Sequence, residues 1–389
     1  MTAVLRIQSS FSISGRGRIH VLRPELPGIS LRVGDVLYDL LGRRHEVAGI
    51  VLMRRISAAR EEDLIPLLLR PLDGAEPRGG VLTDRPGPPG LLFCSEPFAP
   101  NTVDSAFAEE YETCRGRTPR GLFSYEDLTG GGTLTMGGEP LEGLVLYRGW
   151  MLRPEQYRAL YRALLARGIV LVNSPEEYDR CQLLPRWYDD FRADTAPSVW
   201  IDGTEDIEGL MTRAARLGRS AVVKDHVKSR KYEWYDACFI RDLRDRPAAE
   251  QIVRTFLRRQ GEDLVGGVVL RAFLPLRPMG LHSQSGMPLS EEYRIFGYAG
   301  EILTMGGYWR ETGGQGLDED DLAWLRPRLA RVGSNFFTMD AARRTDGSLV
   351  ILELGDGQVS GLQETPPEVF FGRLFRLAAP APKTDGTNG

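Results

Sequence analysis

The sequence predicts a multidomain protein that combines α+β and α/β architecture: a small N-terminal β-barrel, an open α/β unit, and a unit of antiparallel sheets with helices. Three observations lead to this prediction. Short alternating strands separated by glycine fill residues 1–73, a strand–helix–strand pattern lies within 91–195, and paired strands alternate with helices across 196–378. A chain of 389 residues is long enough to bury two or three such cores.

The N-terminal prediction rests on strands and the turns between them. Ser10–Ser14 and Arg18–Leu22 alternate in polarity on either side of the turn Gly15-Arg16-Gly17. Residues 74–90, GAEPRGGVLTDRPGPPG, are dominated by glycine and proline and are predicted to be a linker. The barrel is therefore expected to be a separable module. The tail, residues 379–389, is expected to be disordered.

The middle of the chain predicts a βαβ unit of an open parallel sheet. Leu144–Tyr147 and Ile169–Val172 are apolar strand candidates, and Pro154–Arg167 between them carries apolar residues at helical spacing. Leu91–Cys94 is a further buried strand. After residue 196 the pattern changes to hairpins and helices, which predicts antiparallel sheets.

Composition excludes several classes of protein. The net charge is −4, which excludes a globally basic nucleic-acid binder. The longest apolar stretches are short and each contains an arginine, so no helix is expected to span a membrane and no membrane partner is expected. The four cysteines are far apart, with no C-x-x-C pair. They are interpreted as reduced thiols in a cytoplasmic protein.

The lysines are unusually distributed. The chain has 45 arginines and four lysines, and Lys224, Lys228 and Lys231 fall within eight residues of one another. A solvated loop would explain the cluster. A site that needs a compact ammonium rather than a planar guanidinium would also explain it, because lysines of this kind bind phosphates.

The last hairpin places two acids together. Strands FFTMDAA and SLVILEL are joined through Asp346-Gly347, a pair typical of a two-residue type I′ turn. In that register Asp340 faces Glu353, with Cβ atoms about 4.5–5.5 Å apart. Like charges at this distance need a cation between them, and a divalent metal that prefers oxygen ligands is the favoured candidate. A solvent-exposed acid pair is the alternative.

Together these residues predict a nucleotide site. Lys224 ends one strand and Arg294 lies on another, in EEYRIFGYAGEIL. Cations hold the phosphates of a nucleoside triphosphate, and opposed carboxylates hold the Mg²⁺ that bridges them.

At these positions the chain resembles the ATP-grasp superfamily, over roughly residues 196–378. The resemblance implies that Lys224 binds ATP phosphates, that Arg294 acts in catalysis, and that Asp340 and Glu353 bind Mg²⁺. The strand VVLRAF, residues 268–273, resembles the family's adenine hinge. It contributes Leu270, Arg271 and Phe273 to the expected nucleotide site, with Lys224, Lys228 and Lys231 as the expected phosphate-binding side chains.

Two departures from the family pattern stand in this region. The usual third metal ligand, an asparagine, is Gly355 here, and Asp356 is considered as its replacement. No glycine-rich phosphate loop follows Lys224, which favours phosphate binding by side chains of the lysine cluster.

Two further resemblances concern the rest of the chain. The run FSISGRGRIHVLRPELPGISLRVGDVLYDL resembles the second, β-barrel domain of elongation factor Tu, which implies a docking surface. Residues 91–195 resemble the pre-ATP-grasp domain of a bacterial clade through the segments LYRGWML, NSPEEY and TAPSVW.

The predicted function is ATP-dependent ligation of a carboxylate to an amine through an acyl phosphate. The substrates are expected to be small molecules or peptides, and Arg148 and Arg310 are candidates for gripping a carboxylate. Two alternatives stay open. One is an ATP-dependent RNA or translation-linked modifying enzyme, with an RNA or protein acceptor presented through the barrel. The other is an ATP-binding module that has lost catalysis, which Gly355 suggests.

Overall fold

The computed structural model describes residues 2–15, 17–51, 64–282, 286–309 and 316–380, and it confirms the predicted multidomain α/β and α+β fold. The N-terminal unit is a closed barrel, in which six strands pair in the order β1–β2–β5–β4–β3–β6 and β6 pairs back with β1. The barrel strands are β1 Val4–Ile13, β2 Gly17–Pro24, β3 Val36–Asp39, β4 Arg44–Ile50, β5 Ile65–Pro71 and β6 Val81–Thr83.

Strand β6 lies inside the segment that was predicted to be a linker, so the prediction of a linker over 74–90 is wrong at this strand. Leu82 packs in the barrel core, and Val81 packs in a core that the barrel shares with the next unit. The strand is only three residues long, and the glycines and prolines around it hide its pattern in the sequence.

The barrel is joined to the rest of the molecule by buried polar contacts. Arg6 on β1 is 5% exposed and donates to the carbonyls of Leu171 and Val172 at 3.0 and 3.2 Å. It also forms ion pairs with Glu177 at 2.8 Å and with Glu25 of the barrel at 3.2 Å. Because an apolar core and these ion pairs cross the boundary, the barrel is not the separable module that the sequence predicted.

The second unit is a mixed sheet in the order β10–β9–β7–β11–β12, with β8 paired to β7. The predicted strand–helix–strand unit is present, since β11 and β12 are parallel neighbours joined by a helix. The strands are β7 Gly90–Glu96, β8 Ala99–Val103, β9 Arg120–Phe123, β10 Met136–Gly138, β11 Gly143–Arg148 and β12 Ile169–Leu171.

Two antiparallel four-stranded sheets, ordered β13–β16–β14–β15 and β20–β19–β21–β22, and a small hairpin of β17 and β18 form the remainder. Their strands are β13 Ser198–Asp202, β14 Ala221–Asp225, β15 Phe239–Ile240, β16 Gly267–Ala272, β17 Pro278–Leu281, β18 Pro288–Ser290, β19 Glu292–Tyr298, β20 Glu301–Gly307, β21 Phe336–Arg343 and β22 Leu349–Asp356.

The helices cover the sheets with amphipathic faces. In α7, for example, Val253 and Phe256 are buried against β14 and β16, and Asp245 caps the first turn. Among the described residues no helix is both long and apolar enough to cross a membrane. The helices are α1 Ala108–Thr113, α2 Tyr125–Thr129, α3 Pro154–Leu165, α4 Pro175–Gln182, α5 Leu184–Trp187, α6 Ile207–Ala214, α7 Arg246–Gln260, α8 Glu319–Leu329 and α9 Pro367–Leu377.

Candidate functional site

The hairpin of β21 and β22 brings together the two acids that the sequence paired. Asp340 lies opposite Glu353, as predicted. The route to this register differs from the prediction, because Arg344 and Ser348 close a three-residue loop and a bulge then shifts the pairing beside Asp340. The bulge leaves Leu352 without a partner and turns both Leu352 and Glu353 toward a cavity.

Strand β19 supplies the partner of Asp340. Arg294 lies directly opposite Asp340 in the neighbouring strand. Its Nε and Nη2 donate to the two carboxylate oxygens at 2.8 and 2.7 Å, which is a bidentate pair. Burial opposes the charge of Arg294, yet Asp340 raises the pKa of the guanidinium further above its ordinary value.

The partner of Glu353 comes from the other sheet. Lys224, in the last part of β14, is 6% exposed, and its Nζ donates to Glu353 Oε1. Burial would raise the pKa of Glu353, but Lys224, Lys231 and Arg271 together hold it below its ordinary value. Side-chain cations therefore compensate the opposed acids, a role that the sequence analysis assigned to a metal.

The other two lysines of the cluster differ in exposure. Lys231 Nζ lies 5.6 Å from the ring of Tyr308 and 5.9 Å from that of Trp309. Burial opposes its charge, but Tyr308 and nearby carboxylates, first among them Glu292, raise the pKa of Lys231. Lys228 is exposed at the rim of the site. The three lysines thus surround one place, as their spacing suggested.

A cavity of about 150 Å³ opens beside Lys224. Its walls are largely apolar and are formed by Val222, Trp234, Ala272, Phe273, Leu274, Leu276, Met287 and Leu352. Arg271 also lines it, and burial lowers the pKa of this arginine to about 10. No carboxylate lies within ion-pair distance of Arg271 among the described residues.

A second cavity of about 430 Å³ adjoins the first. Lys231, Asp340 and Glu353 line both cavities, and they mark the junction. Arg294 and Lys228 line only the larger one, together with the loop that follows β22. The junction therefore concentrates three charged side chains between an apolar chamber and a more polar one.

The structure separates several predicted site residues from this junction. Leu270 is fully buried in the core between β16 and the helices, so its side chain does not face the cavities. Asp356 is 0% exposed and accepts bonds from Asn173 and Gln358. It is therefore not placed as a metal ligand, because alternate residues of a strand face opposite sides.

The two arginines predicted to bind substrate are not in the cavities either. Arg148 is 1% exposed and forms a bidentate pair with Glu110 at 2.8 and 2.9 Å. All of its donors point to protein groups, so it does not grip a substrate carboxylate. Arg310 lies outside the described residues.

The donor set at the junction fits a hard divalent cation only in part. Asp340 and Glu353 offer carboxylate oxygens of the kind that Mg²⁺ prefers. Within the described residues, however, no three histidine, cysteine or acidic side chains lie close enough to hold a metal. A metal here would use two carboxylates and complete its shell with neutral oxygens.

Sequence reasoning missed several residues that line the cavities. Tyr308 and Trp309 belong to the segment GGYWRETGG, which was selected for Arg310 alone, although its aromatic residues lie against Lys231. Thr338 and Ser360 contribute hydroxyls to the larger cavity. Thr338 could have been found, because it lies two residues before Asp340 on the same strand face.

Comparisons with known proteins confirm the resemblance drawn from the sequence. Residues 216–374 match a family model of the ATP-grasp domain, the third family of its clade. No curated protein sequence matches the chain.

Solved structures with a similar fold include three ATP-grasp proteins or synthetases. The RimK domain protein ATP-grasp from Sphaerobacter thermophilus is 14% identical, with 74% of this chain and 96% of that chain covered and a TM-score of 0.49. D-cycloserine synthetase DcsG is 17% identical, with coverages of 74% and 100% and a TM-score of 0.47. D-alanyl-alanine synthetase A from Vibrio cholerae is 12% identical, with coverages of 74% and 93% and a TM-score of 0.47.

Proposed function

Because residues 216–374 match an ATP-grasp domain, we propose that the protein is an ATP-dependent ligase that joins a carboxylate to an amine. The observation that carries the proposal is the junction of the two cavities. There Lys231, Asp340 and Glu353 face an apolar chamber on one side and a polar chamber on the other. A nucleotide bound in the first chamber would present its terminal phosphate to reactants held in the second.

The adenine ring is proposed to occupy the smaller cavity. Its apolar walls, with Phe273 and Leu352 among them, suit a flat aromatic ring. Lys224, Lys231 and Arg271 line the same chamber and would bind the phosphates as side-chain cations. Arg271 supports this assignment most directly, because it is buried with no carboxylate partner among the described residues.

Asp340 and Glu353 are proposed to hold Mg²⁺. Each acid now pairs with a cation, Arg294 or Lys224, so binding of a magnesium nucleotide would exchange partners. The carboxylates would turn to the metal, and the cations would turn to phosphate oxygens. Bound Mg²⁺ would supply charge neutralisation on the phosphates.

The proposed chemistry has two transfers. A substrate carboxylate oxygen attacks the γ-phosphorus of ATP, ADP leaves, and an acyl phosphate forms. The amine nitrogen then attacks the acyl carbon, loses a proton, and inorganic phosphate leaves with the former carboxylate oxygen. Arg294, which lines the larger cavity, would stabilise the charge on the transferring phosphoryl group. No covalent bond to the protein is required.

The proposal is tested by measuring ADP release over a matrix of carboxylates and amines, with peptides and RNA included as acceptors. We expect ADP formation that depends on both substrates and on Mg²⁺, and none with Glu353→Gln. Nucleotide binding without ADP formation from any pair would indicate a binding module instead. ADP release that requires RNA would indicate the translation-linked alternative.

A further inference from the structure

Position 355 lies on the strand face that carries the two acids, but glycine contributes no side chain there. Gly355 pairs with Thr338, and Glu353 and Asp340 are the next pair on the same face. All four residues line the larger cavity. The face thus has carboxylates at two corners and an empty corner at Gly355.

Two hydroxyls fill the space beside that empty corner. A Cβ at Gly355 would lie 2.7 Å from Thr338 Oγ1 and 3.1 Å from Ser360 Oγ. The two hydroxyl oxygens are 2.9 Å apart. The loop after β22 therefore returns an oxygen to the place that a side chain on the strand would occupy.

The hydrogen bonds of Ser360 leave it able to accept. Ser360 Oγ donates its one proton to the carbonyl of Asp356 at 2.8 Å. The bond between the hydroxyls is then donated by Thr338. Since a hydroxyl oxygen has two lone pairs, Ser360 keeps one that no group within the described residues occupies.

The loop that carries Ser360 is held from the neighbouring sheet. Arg148, at the end of β11, donates from Nη1 to the carbonyls of Gly357 and Ser360 at 2.6 and 2.9 Å. Its other nitrogens are fixed by Glu110. A buried arginine that is fixed at one end has little freedom at the other, so Ser360 is positioned before any ligand binds.

We propose that Ser360 Oγ is the third protein oxygen of the metal site formed by Asp340 and Glu353. Thr338 and Arg148 act as positioning residues. The inference rests on the proposed function, because it requires the two carboxylates to bind Mg²⁺. Serine and threonine hydroxyls are established Mg²⁺ ligands in nucleotide sites. A neutral oxygen adds a ligand without adding to the repulsion between the two acids.

The test measures binding of the non-hydrolysable analogue AMPPNP to the full chain by calorimetry as the Mg²⁺ concentration is varied. Ser360→Ala is expected to need roughly 10- to 100-fold more Mg²⁺ for the same AMPPNP affinity, with metal-free affinity unchanged. Ser348→Ala, the same change at the exposed turn of the hairpin, is expected to match the unaltered protein. An unchanged Mg²⁺ requirement in Ser360→Ala overturns the inference alone. Absence of Mg²⁺-dependent binding in the unaltered protein overturns the proposed function with it.

A second variant keeps the inference testable if the alanine variant folds poorly. In Ser360→Cys a thiol replaces the hydroxyl, and sulfur ligands prefer softer metals than Mg²⁺. We expect Cd²⁺ to support AMPPNP binding better than Mg²⁺ in this variant and the reverse order in the unaltered protein. The same order of metals in both proteins overturns the inference.

Discussion

The molecule contains two clusters of buried ion pairs, one at the barrel interface and one at the junction of the cavities. At the interface, Arg6 pairs with Glu25 and Glu177 and also donates to backbone carbonyls. At the junction, Arg294 pairs with Asp340, and this pair lines a cavity. Only the second cluster can exchange its partners for those of a ligand.

The electrostatics of the two clusters are alike. Burial opposes the charge of Arg6 and of Arg294, yet nearby carboxylates raise the pKa of both guanidinium groups above the ordinary value. The presence of a cavity, rather than the strength of the pairing, therefore distinguishes a site from a structural contact. Changes in the first cluster should affect folding, and changes in the second should affect ligands.

The largest effect is expected from removing the barrel. Deletion of residues 1–89 exposes the shared core, where Val4, Leu40 and Val81 pack against Phe296 and Tyr298. We expect an insoluble or molten product, because apolar surface of this kind is not stable in water. The near-ultraviolet circular dichroism of the purified fragment measures this. A folded fragment that binds AMPPNP would contradict the shared core.

A single change at the interface should also be costly. Arg6→Met leaves Glu25 and Glu177 buried without their cation, and loss of one partner of a buried pair costs about 3–5 kcal/mol of unfolding free energy. Urea denaturation measures the loss. Arg23→Met is the control, since the exposed Arg23 also pairs with Glu25 and should cost less than about 1 kcal/mol. Equal losses would contradict the difference in burial.

The corresponding change at the junction should act on metal binding. Glu353→Gln removes one of the two carboxylates, and we expect Mg²⁺-dependent AMPPNP affinity to fall on the order of 100-fold. Its unfolding free energy should fall by about 1 kcal/mol, because Lys224 loses a partner that is one-third exposed. Calorimetry and urea denaturation measure the two quantities. Glu301→Gln, outside both cavities, is the control, and equal metal affinity in the two variants would remove the metal assignment.

Asp356 should report the pH response of a buried acid that lines no cavity. Burial raises its pKa to about 7, although Asn173 and Gln358 donate to it. An unfolded aspartate titrates near 3.9, so between about pH 4 and pH 7 the folded state binds more protons than the unfolded state. The contribution of Asp356 to stability therefore falls as pH rises through this window and is constant above it.

Urea denaturation at pH 5 and pH 8 measures that contribution. The unaltered protein should lose about 2 kcal/mol more than Asp356→Asn between these values, because the amide does not titrate. Equal losses in the two proteins would show that Asp356 is ionised in the folded state at both pH values.

The register of the hairpin shows what a sequence can and cannot predict. The Asp-Gly pair correctly located the turn, and the pairing of Asp340 with Glu353 is confirmed. The predicted two-residue loop is wrong, since Arg344 and Ser348 close a loop of three. A bulge at Leu352 restores the predicted register, so two local deviations cancelled. Alternation along a strand does not reveal a bulge.

Contacts between distant segments were beyond the sequence altogether. The pairing of Lys224 with Glu353 joins two sheets, and nothing local to either residue indicates the other. Arg148 illustrates the opposite error. Its place at the end of a strand suggested a substrate contact, but the chain folds the loop after β22 onto it and uses all its donors. Residue type and local spacing predicted the chemistry, and tertiary packing decided which groups were available for it.

The smallest effect is expected from Lys224→Arg, which keeps the charge at the junction and changes only its shape. Lys224 is 6% exposed beside a cavity of about 150 Å³, so a larger planar guanidinium would take space from the nucleotide. AMPPNP affinity should fall about tenfold, or about 1.4 kcal/mol, while the melting temperature stays unchanged because Glu353 keeps a cation. Calorimetry beside Lys383→Arg, the same change outside the described residues, isolates the effect. Equal affinity in the two variants would mean that Lys224 serves Glu353 alone, which would make this pair structural, like that of Arg6.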